Sequence, residues 1–68
     1  MRTYGRLRER IKNKYSLLDD FADAMGMNSS TLSKKLNDRT GWTRDEIEKA
    51  CGLLNIPIEQ NYEYFFYD

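Results

Sequence analysis

Residues 21–38 read FADAMGMNSSTLSKKLND. A small apolar cluster, Phe21, Ala22 and Met25, runs into Gly26, one more apolar residue, and then a block of Asn, Ser and Thr. With Leu18 the cluster follows the i, i+3, i+4, i+7 spacing of an amphipathic helix. Gly26 stands where that helix must stop, since glycine readily takes the left-handed conformation that closes a helix. Asn28 is a favoured N-cap for a further helix from about Ser29 to Asn37, in which Leu32 and Leu36 point inward with Met27. Two helices joined by a three- or four-residue turn containing Gly make a helix-turn-helix, expected here over about residues 17–37. Ala22 would lie where the two helices cross, and a larger side chain there would push them apart.

With the leucines inward, Ser29, Ser30, Ser33, Lys34 and Asn37 face out. An amphipathic helix whose outer side carries hydroxyls, amides and a cation is suited to a polar surface. The first turn of such a helix fits the major groove of a duplex, where base edges offer donors and acceptors. Free amides at the helix start also favour phosphate. Candidate base contacts are therefore Asn28, Ser29, Ser30, Ser33, Lys34 and Asn37. Candidate phosphate contacts are Lys35, Arg39 and Arg44, with Arg6 and Arg10 from the first helix.

The rest of the chain is also helical in pattern. Tyr4, Leu7, Ile11 and Tyr15 form one stripe, Ile47, Ala50, Cys51 and Leu54 another, and Ile58, Tyr62, Phe65 and Phe66 a last one. Thr43-Arg-Asp-Glu46 is a full capping box, and Ser16 with Asp19 resembles one. Trp42 is expected to plug the loop between the third and fourth helices. Pro57 separates the fourth helix from the last segment, where its missing amide is harmless.

The chain has 68 residues, room for a single domain over 1–68. Such a domain buries only about 60% of the surface its unfolded form exposes, so nearly all its apolar residues must share one core. A single cysteine excludes an internal disulfide, and one Cys with no His makes no zinc site. No metal, cofactor or small-molecule ligand is expected, and without His, metal cluster or phosphate-cradling loop the chain is not expected to be an enzyme. No apolar run approaches the roughly 20 residues of a membrane span, and the expected location is the cytoplasm. Net charge is zero and the pI is near 6.2, but the charges are segregated. Residues 1–14 sum to +5, residues 15–27 to −3, residues 28–44 to +3 and residues 45–68 to −5. A polyanion feels such local fields rather than the total.

FADAMGMNSSTLSKKLND, followed by GWTRDEIEKACGLLNI, resembles the lambda-repressor-like (XRE-type) helix-turn-helix family, and within it small phage and prophage regulators of Cro or repressor type. The family pattern is a hydrophobe-Ala pair, Gly, then S/T-x-L-S-x-K-L-N-G, and the likeness covers about residues 4–66. The resemblance implies an all-α fold of five helices whose third helix reads the major groove. It implies a homodimer that occupies a near-palindromic operator on double-stranded DNA in a bacterial host. Leu18 stands where many relatives have Gln, so that contact to DNA does not carry over. Asp38 stands where the pattern has Gly.

Five of the nine aromatics fall in the tail, residues 58–68: Tyr62, Tyr64, Phe65, Phe66 and Tyr67. Tyr62, Phe65 and Phe66 are the ones expected to be buried, any left outside would form a sticky patch, and the tail, as helix or exchanged strand, is expected to carry the dimer contact. A protein-interaction module on the same fold, an antirepressor that binds another phage repressor, is the alternative function; an antitoxin is a third.

Overall fold

Helices α1 (Gly5–Lys14), α2 (Leu18–Met25), α3 (Ser29–Leu36), α4 (Arg44–Leu54) and α5 (Asn61–Phe65) follow one another, the last preceded by a 3₁₀ turn at Ile58–Gln60. The computed structural model describes residues 3–66, and among them there is no strand. The tail is thus helical as far as Phe65, while Tyr67 lies outside the described residues. The radius of gyration, 10.7 Å, is that of a closely packed chain of this length, about 11 Å.

Three helices end on the same backbone device. Gly26 (φ 76°), Asp38 (φ 59°) and Asn55 (φ 57°) each take the left-handed conformation just after a helix. The following amide then reaches back five residues: Met27 to the Ala22 carbonyl, Arg39 to Lys34 and Ile56 to Cys51, at 2.9–3.0 Å. These bonds satisfy carbonyls that the helix end would leave unpaired. The left-handed backbone at Asp38 is also the physical reason a glycine would suit that position.

Helix starts are less uniform. Asn28 caps α3, accepting from the Thr31 amide at 2.8 Å. Thr43 and Glu46 form the reciprocal capping box of α4, at 3.1 and 2.9 Å. The expected box from Ser16 to Asp19 does not form: Leu17 occupies the N-cap position of α2, and its apolar side chain can accept no hydrogen bond. Asp19 and Asp20 still fall in the first turn, where the helix dipole favours anions.

One core joins every helix. Leu7 and Ile11 of α1, Phe21 and Ala22 of α2, Leu32 and Leu36 of α3, Leu54 of α4 and Phe65 of α5 are almost wholly buried. Tyr15 sets its ring edge against Phe21 at 5.3 Å, holding the chain as it enters α2. Trp42 packs between Tyr4, 6.3 Å away, and Phe65, 5.0 Å away, and so closes the loop from α3 to α4. Ile56 is buried as well, directly after the left-handed Asn55, where a hydrophobic contact commonly accompanies this kind of helix end.

Two apolar stripes turn out differently from their spacing. Leu18 stays 38% exposed at the start of α2. Among the described tail residues only Phe65 is deeply buried, whereas Ile58, Tyr62 and Phe66 are 51%, 60% and 43% exposed. Phe65 and Phe66 are about 100° apart around a helix, so one short helix cannot bury both on one side. Phe65 takes the core, and Ile58, Tyr62 and Phe66, at i, i+4 and i+8, form a stripe that faces outward.

Candidate nucleic-acid interface

Helix α3 packs mainly on α2, and the two are joined by Gly26-Met27-Asn28. Leu32 and Leu36 anchor its inner side. The opposite side carries Ser30, Ser33, Lys34 and Asn37, at i, i+3, i+4 and i+7, with Ser29 at the flank, and all five are exposed. Spacing that elsewhere makes an apolar stripe here makes a polar one about 10 Å long. Asn28 is exposed too, but its side-chain oxygen is occupied: besides the Thr31 amide it accepts from the Ser30 hydroxyl at 2.9 Å.

The far end of the stripe is held from α1. Arg8 donates to the Leu36 carbonyl at 2.8 Å and to Asn37 Oδ1 at 2.9 Å. Its Nε donates to the Thr3 carbonyl at 3.0 Å, which ties the residue just ahead of Tyr4 and α1 to the same place. Asn37 Nδ2 in turn donates to Ser33 Oγ at 3.3 Å. The sequence gives no reason to single out Arg8 among the α1 cations, because the neighbour of each flank is decided only by the tertiary fold.

The candidate phosphate contacts separate into two groups. Lys35 is buried, 7% exposed, and does not point outward as expected. Its ammonium lies 3.0 Å from Glu46 Oε1 and donates to the Gly41 carbonyl at 2.9 Å, 5.9 Å from the centre of the Trp42 ring. The cause is angular: Lys35 precedes the inward Leu36 and follows Leu32 by three, so its stem lies along the apolar side. Arg10 is engaged too, donating to the carbonyls of Leu54 and Asn55 at 3.1 and 3.0 Å. Lys14 donates to the Leu53 carbonyl beside it. Two cations thus neutralise the carbonyl end of α4, where the helix dipole favours positive charge. Arg6 stands 3.7 Å from Glu63 on that same side of α1, roughly opposite the flank of Arg8 and away from α3. Arg39 and Arg44 remain outward; Arg44 pairs with Glu48 at 3.1 Å in a largely solvated contact.

Among the described residues, two groups have shifted acidities. Burial pushes the Glu46 carboxyl up, but the Thr43 amide and the Lys35 ammonium outweigh it, and the net pKa lies below the ordinary value of 4.5. Burial pushes the Cys51 thiol up, as suits a small core residue. Among the described residues no cluster of His, Cys, Asp and Glu could hold a metal ion, and no helix is long and apolar enough to cross a membrane.

Of the residues expected at a dimer contact, Phe65 is in the protomer's own core, where it cannot meet a partner, and Tyr64 is half-buried. Tyr62 and Phe66 are outward, with their rings stacked 6.1 Å apart. Ile58, missing from that set, completes their stripe. Beside it lies a groove of about 420 Å³ floored by Trp42 and Ile47.

No curated protein matches this sequence. Residues 2–68 match the family described as "Protein of unknown function (DUF739)", and the chain belongs to that family.

Proposed function

We propose that this protein is a sequence-specific regulator of transcription that binds double-stranded DNA, with α2 and α3 acting as the helix-turn-helix of a lambda-repressor-like domain and α3 in the major groove. The observation that carries this is the outer side of α3: four polar side chains at helical spacing, none needed by the core, on a helix braced from behind by α2. Ser29, Ser30, Ser33 and Lys34 then face base edges. Lys34, Arg39 and Arg44 supply the attraction to phosphate, while Lys35 and Arg10 act inside the fold. Two copies, associating through the outward stripe of Ile58, Tyr62 and Phe66, would occupy a near-palindromic operator and block a promoter.

Selection from a random DNA pool tests this directly. A half-site repeated about one helical turn apart is the expected result. If three cations per protomer neutralise phosphates, log K falls with log salt at a slope of about −5 for the dimer. Equal retardation of selected and scrambled duplexes would remove the claim of sequence specificity.

A second reading, an interaction module that binds another repressor, is favoured by one observation: Arg8, Arg10, Lys14 and Lys35 all serve internal carbonyls or carboxylates, which leaves few cations for a polyanion. A chain that never retards DNA at low salt, yet co-purifies with a repressor, would belong to that class.

A further inference from the structure

We propose that α3 presents two hydroxyls of opposite hydrogen-bonding sense, Ser30 as an acceptor and Ser33 as a donor, and that it discriminates base pairs by the sense of the group each hydroxyl meets. This rests on the duplex-binding reading above. Asn28 Oδ1 takes the Thr31 amide at 2.8 Å, and a backbone amide can only donate, so the atom there is the carbonyl oxygen. Ser30 therefore gives its single proton to that oxygen, at 2.9 Å, and turns its lone pairs outward.

The other hydroxyl is fixed from the opposite end. A guanidinium has only donors, so Arg8 obliges Asn37 to turn its oxygen toward it, at 2.9 Å. The amide nitrogen of Asn37 then faces Ser33 and donates to its oxygen at 3.3 Å. Ser33 must accept there, and its own proton meets no acceptor among the described residues. Asn37, with both ends of its amide engaged, is a positioning residue rather than a base reader. Lys34 beside it has donors only.

In the major groove the only donors are the amino groups of adenine and cytosine, while N7 of either purine, O6 of guanine and O4 of thymine accept. Ser30 accordingly addresses an amino group, and Ser33 and Lys34 address acceptors.

The test uses the tightest duplex recovered from a random pool, rebuilt with single-atom base analogues. Purine for adenine, or pyrimidin-2-one for cytosine, deletes one amino donor; 7-deaza purines delete one N7. Deleting the right amino group should weaken wild-type binding about fivefold, and Ser30→Ala should abolish that sensitivity. Deleting the right acceptor should cost a similar factor, with the sensitivity lost in Ser33→Ala. Arg8→Gln lets Asn37 turn over, so it should erase the Ser33-linked sensitivity while keeping the Ser30-linked one, and Arg8→Lys should restore it. A specific site whose analogues couple to neither serine, or couple both to acceptors, overturns the assignment and leaves duplex binding intact. A pool with no enriched sequence removes both.

Discussion

The Lys35 ammonium lies 3.0 Å from Glu46 Oε1, joining the second half of α3 to the first turn of α4 across the Gly41–Trp42 loop. Its neighbour Lys34 makes no such contact and is exposed. Adjacent lysines therefore differ in place: Lys35 serves the fold, and Lys34 is left to the solvent face. Lys35→Ala strands a carboxylate and empties the space beside Trp42, and should lower stability by about 2 kcal/mol, since loss of one partner of a buried pair is costly. In a domain of this size that is a fall in Tm of about 10 °C. Lys34→Ala should change stability by less than about 0.5 kcal/mol while weakening DNA binding. Urea melts and gel shifts on both variants separate the two roles; equal stability losses would contradict the assignment.

The same pair sets an acid limit. Because the folded-state pKa of Glu46 is below 4.5, the unfolded chain takes up that proton more readily than the folded one. The stabilisation is complete above the unfolded value and is lost as pH falls through the lower, folded value. Urea midpoints of the wild type and Glu46→Gln should differ most at neutral pH and converge as pH falls below 4.5. A gap that is constant with pH would show that the carboxylate charge contributes nothing.

Backbone geometry makes a separate prediction. Gly26 and Asp38 occupy equivalent left-handed positions, yet only one is glycine. A Cβ on Gly26 would meet Lys49 Nζ at 3.6 Å, an ordinary contact, so the cost of Gly26→Ala is conformational, about 1 kcal/mol. Asp38→Gly should move the other way, gaining up to about 1 kcal/mol. Denaturant unfolding of both variants checks the signs; a stabilising Gly26→Ala would contradict the role given to that turn.

Most of the helical framework was legible in the sequence because period and caps agree. The Thr43 box, the Asn28 cap and the stop at Gly26 all involve residues within a few positions of one another. The start of α2 was not legible in this way: Ser16 is a good cap locally, but the chain enters from Tyr15, whose ring is held on Phe21, and the helix begins after Leu17. Lys35 was legible in principle from its place between Leu32 and Leu36, but a lysine reads as surface until a buried acceptor is known. Arg6, Arg8 and Arg10 were not separable, since the sequence places them on two flanks of α1 without saying that α3 adjoins one and α4 the other. The polar stripe of α3 was readable to the residue; the hydrogen bonds that orient it, Arg8 to Asn37 above all, join positions 29 apart and could not be.

The tail separates folding from association. Phe65 is 1% exposed against Trp42, so Phe65→Ala should cost about 3–5 kcal/mol, comparable to the entire stability of so small a domain, and leave it largely unfolded by circular dichroism. Ile58, Tyr62 and Phe66 face water and contribute little to the protomer's own core. Replacing Ile58 and Tyr62 together with Ser should therefore preserve the melting curve at low concentration. If these side chains form the contact between two copies, the same substitution should raise the dimer dissociation constant at least tenfold in sedimentation equilibrium, because exposed aromatic anchors dominate such interfaces. Operator affinity should fall in parallel, since each half-site would then be bound alone. A wild-type chain that stays monomeric at every concentration, or a double variant that associates as well as the wild type, would place the contact elsewhere or remove it.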